Sequence, residues 1–221
     1  MIYALTLSIK LRPILSYVIE NNRTMQKIMF NERYGLQSAV LEKIKTHTRR
    51  ESFESLEEVG TILDEQGKLE CYNDYNGTPV HVSRYAVGEV VAIAQSYSSI
   101  FDEAYDDYFN DKYSSFRNGN LTETKGWNNK MFVKAELMPH HIKILDIRCE
   151  RLQDISESDC IKEGVLGSAK NSFYIVDFET SKVFRFYTAK ECFLYLLNLI
   201  SKKEHRNINP YVIVYEFELI D

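Results

Sequence analysis

The chain is a succession of short segments with the composition of β-strands, separated by turns and by only a few segments with helical spacing. β-Branched and aromatic residues within these segments, with Gly, Asn, Asp or Pro between them, are typical of strands and turns. Apolar residues at helical spacing predict helices over 34–44 and 188–200, and Thr188 opens the second with a capping box. Residues 50–70 are acidic and weakly patterned, which predicts a solvated loop. The predicted strands are 3–11, 80–85, 90–94, 131–136, 141–151, 173–178, 183–187 and 212–219.

This pattern predicts a mixed α+β protein built around a closed or half-closed sheet. We expect one domain over 1–221, in which 1–30 form an N-terminal extension and 98–130 an acidic and aromatic insertion. The insertion begins with a predicted helix over 98–116, whose acidic face is more typical of a solvated surface than of a metal site. It also contains Trp127, which either stacks on a nucleobase or packs in the core.

Composition narrows the class of function. The 27 Lys and Arg residues stand against 32 Asp and Glu residues, and the net charge of −5 argues against a protein that coats polyanions. Contact with nucleic acid therefore requires a local basic patch. No apolar stretch has the length needed to span a membrane, and the N-terminus lacks the continuous apolar core of a signal peptide. We expect a cytoplasmic protein with no membrane partner.

Cysteine and histidine spacing gives no sign of a metal site. Adjacent His140 and His141 point to opposite faces of a predicted strand, so they cannot easily share one metal. The cysteines also lack metal-binding spacing, and free thiols are the simplest interpretation, although the count alone allows disulfides. We therefore expect no metal and no cofactor. The cysteines are Cys71, Cys149, Cys160 and Cys192.

Residues 43–50 carry two lysines, a histidine, two threonines and two arginines in the run KIKTHTRR. The predicted helix over 34–44 leads into this run, so its cations are expected near a helix C-terminus, where they interact favourably with exposed carbonyls. The same residues suit an anion-binding or nucleophilic site, because arginine offers a planar fork for phosphate or carboxylate and burial can activate a lysine. Spacing alone favours the structural interpretation and leaves the functional one open.

Four blocks of sequence together carry a likeness to one family. The first block is Lys45-Thr46-His47-Thr48-Arg49-Arg50, and the others are YAVGEVV at 85–91, ERLQDISE within 142–164, and NPYVIVYEF at 209–217. In this order they resemble the ASCH domain proteins, a branch of the PUA-like β-barrel superfamily, in the larger form common in phage and bacterial mobile elements. The likeness runs from about residue 34 to the C-terminus and leaves out the N-terminal 30 residues and 98–126.

The resemblance implies a PUA-like β-barrel with flanking helices and a cleft for RNA or a modified nucleoside. Some small bacterial members hydrolyse acylated cytidine with a lysine, a threonine three residues further on and a glutamate on a later strand. Lys45 and Thr48 match the first two residues, and Arg50 matches a basic position of the family. The strand position of the glutamate holds Lys143, and Glu136 is the nearest candidate to replace it.

Binding of RNA or of a nucleotide-like ligand at the basic edge of this cleft is the function that the sequence favours. The ligand-binding residues would be Arg49, Arg50, Lys143 and Trp127. Hydrolysis of a modified nucleoside or of RNA by Lys45 and Thr48 is the alternative, because without the glutamate no group is named to protonate the leaving amine. A carboxylate within hydrogen-bond reach of Lys45 and Thr48 would move hydrolysis to first place. A third interpretation is a phage accessory interaction protein whose cleft is vestigial.

Overall fold

The computed structural model describes residues 24–54, 58–100, 123–168, 172–201 and 209–221. The strands are β1 (Gln26–Ile28), β2 (His47–Phe53), β3 (Val59–Leu63), β4 (Lys68–Asn73), β5 (Pro79–Ala86), β6 (Val90–Ile93), β7 (His141–Arg151), β8 (Leu166–Ser168), β9 (Ser172–Asp177), β10 (Lys182–Phe186) and β11 (Tyr211–Leu219). The helices are α1 (Leu36–Leu41), α2 (Tyr97–Ile100), α3 (Glu157–Lys162) and α4 (Ala189–Ser201).

These strands form three sheets. One has five strands in the order β1-β6-β7-β11-β2, and the other two have the orders β3-β4-β5 and β10-β9-β8. The prediction of a mixed α+β protein is therefore confirmed, with strands predominating. No closed barrel is formed by the strands in the part of the chain that the structure describes. Within the same residues, no helix has both the length and the apolar character needed to cross a membrane.

The chain divides into two compact units, which we call the first and the second unit. The first unit is Met1–Phe30, Val90–Ile142 and Ile220–Asp221, and the second is Asn31–Glu89 and Lys143–Leu219. Predictions that fall on 1–23 and 101–122 lie outside the described residues; they include the strand over 3–11 and most of the helix over 98–116.

In the first unit, β1 pairs in parallel with β6, with Gln26 opposite Val91. The strand predicted over 131–136 is wrong, because two 3-10 turns, Lys130–Phe132 and Ala135–Leu137, occupy this stretch. The side chain of Asn129 caps the first turn by accepting a hydrogen bond from the Met131 N–H. One cluster of buried residues in this unit contains Ala92, Ala94, Tyr97, Ile100, Val133, Ala135 and Met138.

In the second unit, the run at 43–50 differs from its prediction. Helix α1 ends at Leu41, Lys43 has a φ of 61°, and β2 begins at His47. The N–H groups of Ile44 and Lys45 both donate to the carbonyl of Ala39, which closes the helix and turns the chain into the strand. Lys43 therefore lies just beyond the helix end, as predicted, whereas Arg49 and Arg50 lie on opposite faces of a strand.

The loop predicted over 50–70 is also wrong, because it contains β3 and the first residues of β4. These strands form an antiparallel pair in which Val59 lies opposite Asn73 and Leu63 lies opposite Leu69. The local sequence pattern here is weak, and the two strands are formed by their hydrogen bonds to each other. By contrast, β7, the β9–β10 hairpin and α4 match their predicted positions to within a few residues.

Two elements of the second unit position the candidate site. Strand β2 pairs antiparallel with β11, so Thr48 lies opposite Tyr215 and Arg49 opposite Val214. Helix α3 begins at Ser156, whose hydroxyl accepts from the Asp159 N–H as a helix cap. The helix is followed by Gly164 with a φ of 97°, a conformation that favours glycine.

Candidate functional site

Lys45 is buried in the second unit with only 2% of its surface exposed. Its Nζ donates to the carbonyl of His47 at 2.6 Å, to the carbonyl of Glu163 at 2.7 Å and to Oε2 of Glu163 at 2.6 Å. An ammonium group has three N–H donors and no acceptor, so these three oxygens match the charged form of the side chain. Burial nevertheless lowers the pKa of Lys45, and the nearby Glu163 carboxylate offsets part of that shift.

Glu163 follows directly after α3 and reaches Lys45 because the end of this helix lies against β2. The Thr46 N–H donates to the carbonyl of Lys162 at 2.9 Å, which ties the helix end to the start of the strand. A Cβ atom added at Gly164 would lie 3.1 Å from Leu36 and 3.5 Å from Lys45. The small glycine thus allows the close approach that places the Glu163 carboxylate, itself only 4% exposed, beside the lysine.

Arg49 joins the same carboxylate from β2, with a side chain that is 1% exposed. Its Nη1 donates to Oε1 of Glu163 at 2.9 Å, and its Nε and Nη2 donate to Oε1 of Glu150 at 2.9 and 2.6 Å. Asp159 contributes a third carboxylate 3.5 Å from Nη2. We call Lys45, Arg49, Glu150, Asp159 and Glu163 the Glu163 network.

Electrostatics within the Glu163 network follow from this pairing. Burial opposes the charge of Arg49, yet Glu163 and Glu150 raise the pKa of Arg49 above its ordinary value. Burial tends to raise the pKa of Asp159, but the arginines at 49 and 148 lower it overall. Two cations, Lys45 and Arg49, therefore flank the Glu163 carboxylate. Because carboxylates already surround Lys45 and Arg49, these two residues do not form an open site for an anion.

Thr48 and Arg50 lie on the face of β2 opposite to Arg49, as strand alternation requires. Thr48 is 5% exposed, and its hydroxyl accepts a hydrogen bond from Nε of Arg50 at 3.3 Å. The Arg50 charge also lowers the pKa of Lys45, after the effects of burial and of Glu163. Arg50 thus acts electrostatically on Lys45 while contacting Thr48, whereas the carboxylate of Glu163 contacts Lys45 directly.

His47 is a further buried group beside Lys45 that sequence reasoning did not single out. Its Nε2 lies 3.4 Å from a carboxylate oxygen of Glu216, and its Nδ1 lies 3.1 Å from the hydroxyl of Thr46. Burial lowers the pKa of His47, against the opposing effect of Glu216. The imidazole therefore favours its neutral form near neutral pH.

The structure does not bring Lys143 or Trp127 into the Glu163 network. Lys143 is an exposed residue of β7, between buried Ile142 and Ile144. Trp127 belongs to the first unit, where it is half-buried and packs against the core around Tyr97. This contact corresponds to the packing interpretation of the tryptophan.

His141 is hydrogen-bonded to the side chain of Asp221. His141 donates its backbone N–H to Asp221 Oδ1, and its Nδ1 lies 2.6 Å from Oδ2 of the same side chain. Among the residues that the structure describes, no group of three or more His, Cys, Asp or Glu side chains is placed to hold a metal ion. His141 is thus a buried, hydrogen-bonded residue of β7.

Glu163 is the residue of the site that the sequence did not reveal. The one available signal was its place just before Gly164, in the block over 142–164 that resembles the ASCH domain proteins. No family model matches the chain, and comparison with curated proteins and with solved structures gives no match either.

Proposed function

We propose that this protein is a hydrolase of the ASCH type that cleaves an amide bond in a modified nucleoside. The observation that carries the proposal is the 2.6 Å contact between Nζ of Lys45 and the Glu163 carboxylate. It supplies the acidic residue for which the strand position of Lys143 offers no candidate. A fold derived from the PUA-like barrel is part of the same proposal, supported by the four blocks of sequence similarity.

The chemistry requires a base and a proton donor next to the scissile bond. We assign Glu163 as the base, because its carboxylate is buried and lies directly beside Lys45, the proposed proton donor. Glu163 takes a proton from the attacking water. Lys45 then donates a proton to the leaving amine, and the overall reaction consumes one water and yields an acid and an amine.

The hydrogen bonds of Lys45 favour one of two roles for this residue. A nucleophilic lysine must present a lone pair, but three oxygens already accept from this Nζ. We therefore assign Lys45 the role of proton donor. Lowering of its pKa by burial makes the ammonium a stronger acid than an exposed lysine would be, which suits this role.

The test is turnover of N4-acetylcytidine, followed by chromatographic separation of cytidine, for wild type and three variants. Glu163→Gln and Lys45→Met should each reduce kcat/KM by about 10²- to 10⁴-fold, the usual contribution of one acid or base. Lys143→Met is the matched control, since it removes an exposed cation outside the Glu163 network and should retain wild-type turnover. Circular dichroism and thermal melting establish that each variant is folded.

Either of two results would contradict the proposed hydrolase function. If folded wild type does not release cytidine, or if folded Glu163→Gln turns over like wild type, the proposed acid–base pair is wrong. Turnover by wild type of other acylated nucleosides with the same dependence on Glu163 would instead support the reaction and change the substrate.

Recognition of RNA is the second candidate function, and one feature of the second unit favours it. The ring of Tyr211 stacks on Phe53 at 5.7 Å between centroids, and the Arg151 guanidinium lies 3.9 Å from the centroid of Tyr211. All three residues are half-buried, and stacked aromatic and arginine side chains are typical of surfaces that bind unpaired bases. Affinity for single-stranded RNA that falls with salt and weakens in Arg50→Ala and Tyr211→Ala would support this function.

A further inference from the structure

Cys71 on β4 and Cys149 on β7 meet in the second unit although they are far apart in the sequence. Both are free thiols, and the thiol of Cys149 is hydrogen-bonded to Cys71. Cys71 is 1% exposed, whereas Cys149 is half-buried and so remains accessible to a small reagent. Two neighbouring thiols, one of them accessible, can be oxidised to a disulfide.

Strand register gives independent support for the position of Cys71. In the β4–β5 pair, Cys71 lies directly opposite His81, so the two side chains share one face of the sheet. On that face the His81 ring stacks on Phe53 of β2, with 5.1 Å between ring centroids and 18° between the ring planes. Cys71 therefore faces toward the five-stranded sheet.

Contacts of Tyr211, which stacks on the same Phe53 ring, support the position of Cys149. Cys149 and Arg151 are two residues apart on β7, so their side chains lie on one face of that strand. Arg151 covers the ring of Tyr211, which in turn stacks on Phe53. One continuous stack thus connects the face that carries Cys71 with the face that carries Cys149.

We propose that Cys71 and Cys149 form a modification site at which a low-molecular-weight disulfide converts the two thiols into an intramolecular disulfide. The thiolate of Cys149 attacks one sulfur of the reagent, which forms a mixed disulfide and releases the first reagent thiolate. Cys71 loses its proton to solvent and attacks the Cys149 sulfur, which releases the second. Two protein thiols are oxidised and one reagent disulfide is reduced to two thiols.

The surroundings of the pair determine how readily it reacts. The hydrogen bond to Cys71 and burial raise the pKa of Cys149 well above the usual range for a thiol. Little thiolate is therefore present near neutral pH, and the exchange accelerates as the pH rises. The neighbouring residue on β7 is Glu150, which binds Arg49 of the Glu163 network, so the disulfide would tie β4 to the strand that supports this network.

The experiment uses the whole wild-type protein incubated with oxidised glutathione at about pH 8.5, near the ordinary thiol pKa. Remaining thiols are blocked with N-ethylmaleimide under denaturing conditions, and peptides are analysed by mass spectrometry before and after reduction. We expect a peptide pair that joins Cys71 to Cys149, while Cys160 and Cys192 carry the blocking group. These two cysteines serve as internal controls, because both are fully buried whereas Cys149 is not.

Thermal melting gives a second readout that needs no variant. A disulfide across a loop of this length should raise Tm by on the order of 10 °C, and dithiothreitol should reverse the rise. Cys149→Ser should abolish the cross-link, whereas Cys160→Ser should form it as wild type does. A glutathione adduct that persists on Cys149, or a wild-type protein whose Cys71 is fully blocked by maleimide, would overturn the proposal. Neither result depends on whether the protein is a hydrolase.

Discussion

Nζ of Lys45 lies 2.6 Å from Oε2 of Glu163, and both side chains are almost completely removed from solvent. Isolated charges of this kind are costly to bury, so the pair exists only because each partner compensates the other and because Arg49 contacts the second oxygen of the carboxylate. The ammonium–carboxylate contact is therefore both a structural element and the chemical centre of the proposed hydrolase. The two roles can be separated by measurement.

Removing Glu163 should destabilise the fold strongly. Glu163→Ala leaves the Lys45 ammonium buried without its carboxylate partner and removes one partner of Arg49, so we expect a loss of about 3–5 kcal/mol in the free energy of unfolding. Urea unfolding at pH 7 measures this loss. In a cycle with Lys45→Met, the double variant should lose less than the two single variants added together. Strict additivity would mean that the two side chains do not interact energetically.

Arg49 should not tolerate replacement by lysine. The guanidinium contacts Glu150 and Glu163 through different nitrogens, and a lysine presents one charged nitrogen that cannot reproduce this geometry. We expect Arg49→Lys to cost about 2–4 kcal/mol of unfolding free energy, because a buried carboxylate loses its partner. Arg50→Lys on the next residue is the matched control and should change stability by less than about 1 kcal/mol. Equal effects at both positions would remove the distinction between the two arginines.

Strands and helices were predicted correctly where the local sequence pattern matches the observed burial of the side chains. Strand β7 alternates as predicted around buried Ile142 and Ile144, and the Glu191 N–H donates to the Thr188 hydroxyl at the predicted start of α4. Strand β2 was missed because a buried strand seldom carries an arginine. Arg49 is stable there only because carboxylates from β7 and from the end of α3 meet it, and no local pattern contains that information.

Only part of the candidate site was predicted, again because contacts between distant segments leave no local sequence pattern. Lys45 and Thr48 were identified from the resemblance to the ASCH domain proteins, but Glu163, which pairs with Lys45, lies far away from it in the sequence. Helical periodicity does not say which way a side chain just beyond a helix end will point, so Glu163 had no pattern of its own. Its direction is set by Gly164, whose lack of a side chain lets the helix end approach Lys45.

At low pH the protein should lose part of its stability against unfolding because the pair formed by Asp177 and Arg33 is lost. Arg33 donates to the two carboxylate oxygens at 3.0 and 2.8 Å, and this hydrogen bonding lowers the pKa of Asp177. A lowered carboxyl pKa contributes stability that is present above the ordinary value near 3.8 and is lost as the pH falls toward the folded-state value. Urea midpoints measured between pH 7 and pH 2.5 should fall less steeply in Asp177→Asn than in wild type. Asp74→Asn, at an exposed position, should keep the wild-type slope.

The pH dependence of turnover tests the role that we assign to Lys45. If its ammonium donates the proton, the rate falls as the pH rises through the pKa of Lys45, which burial holds below the ordinary 10.5. The Arg50 charge lowers this pKa further, so Arg50→Met should move the alkaline limb of kcat/KM to higher pH. Lys143→Met also removes one positive charge, but from an exposed site outside the Glu163 network, and should leave the limb in place. A rate that increases with pH over the same range would mean that Lys45 acts as a neutral amine, and its assignment as the proton donor would be wrong.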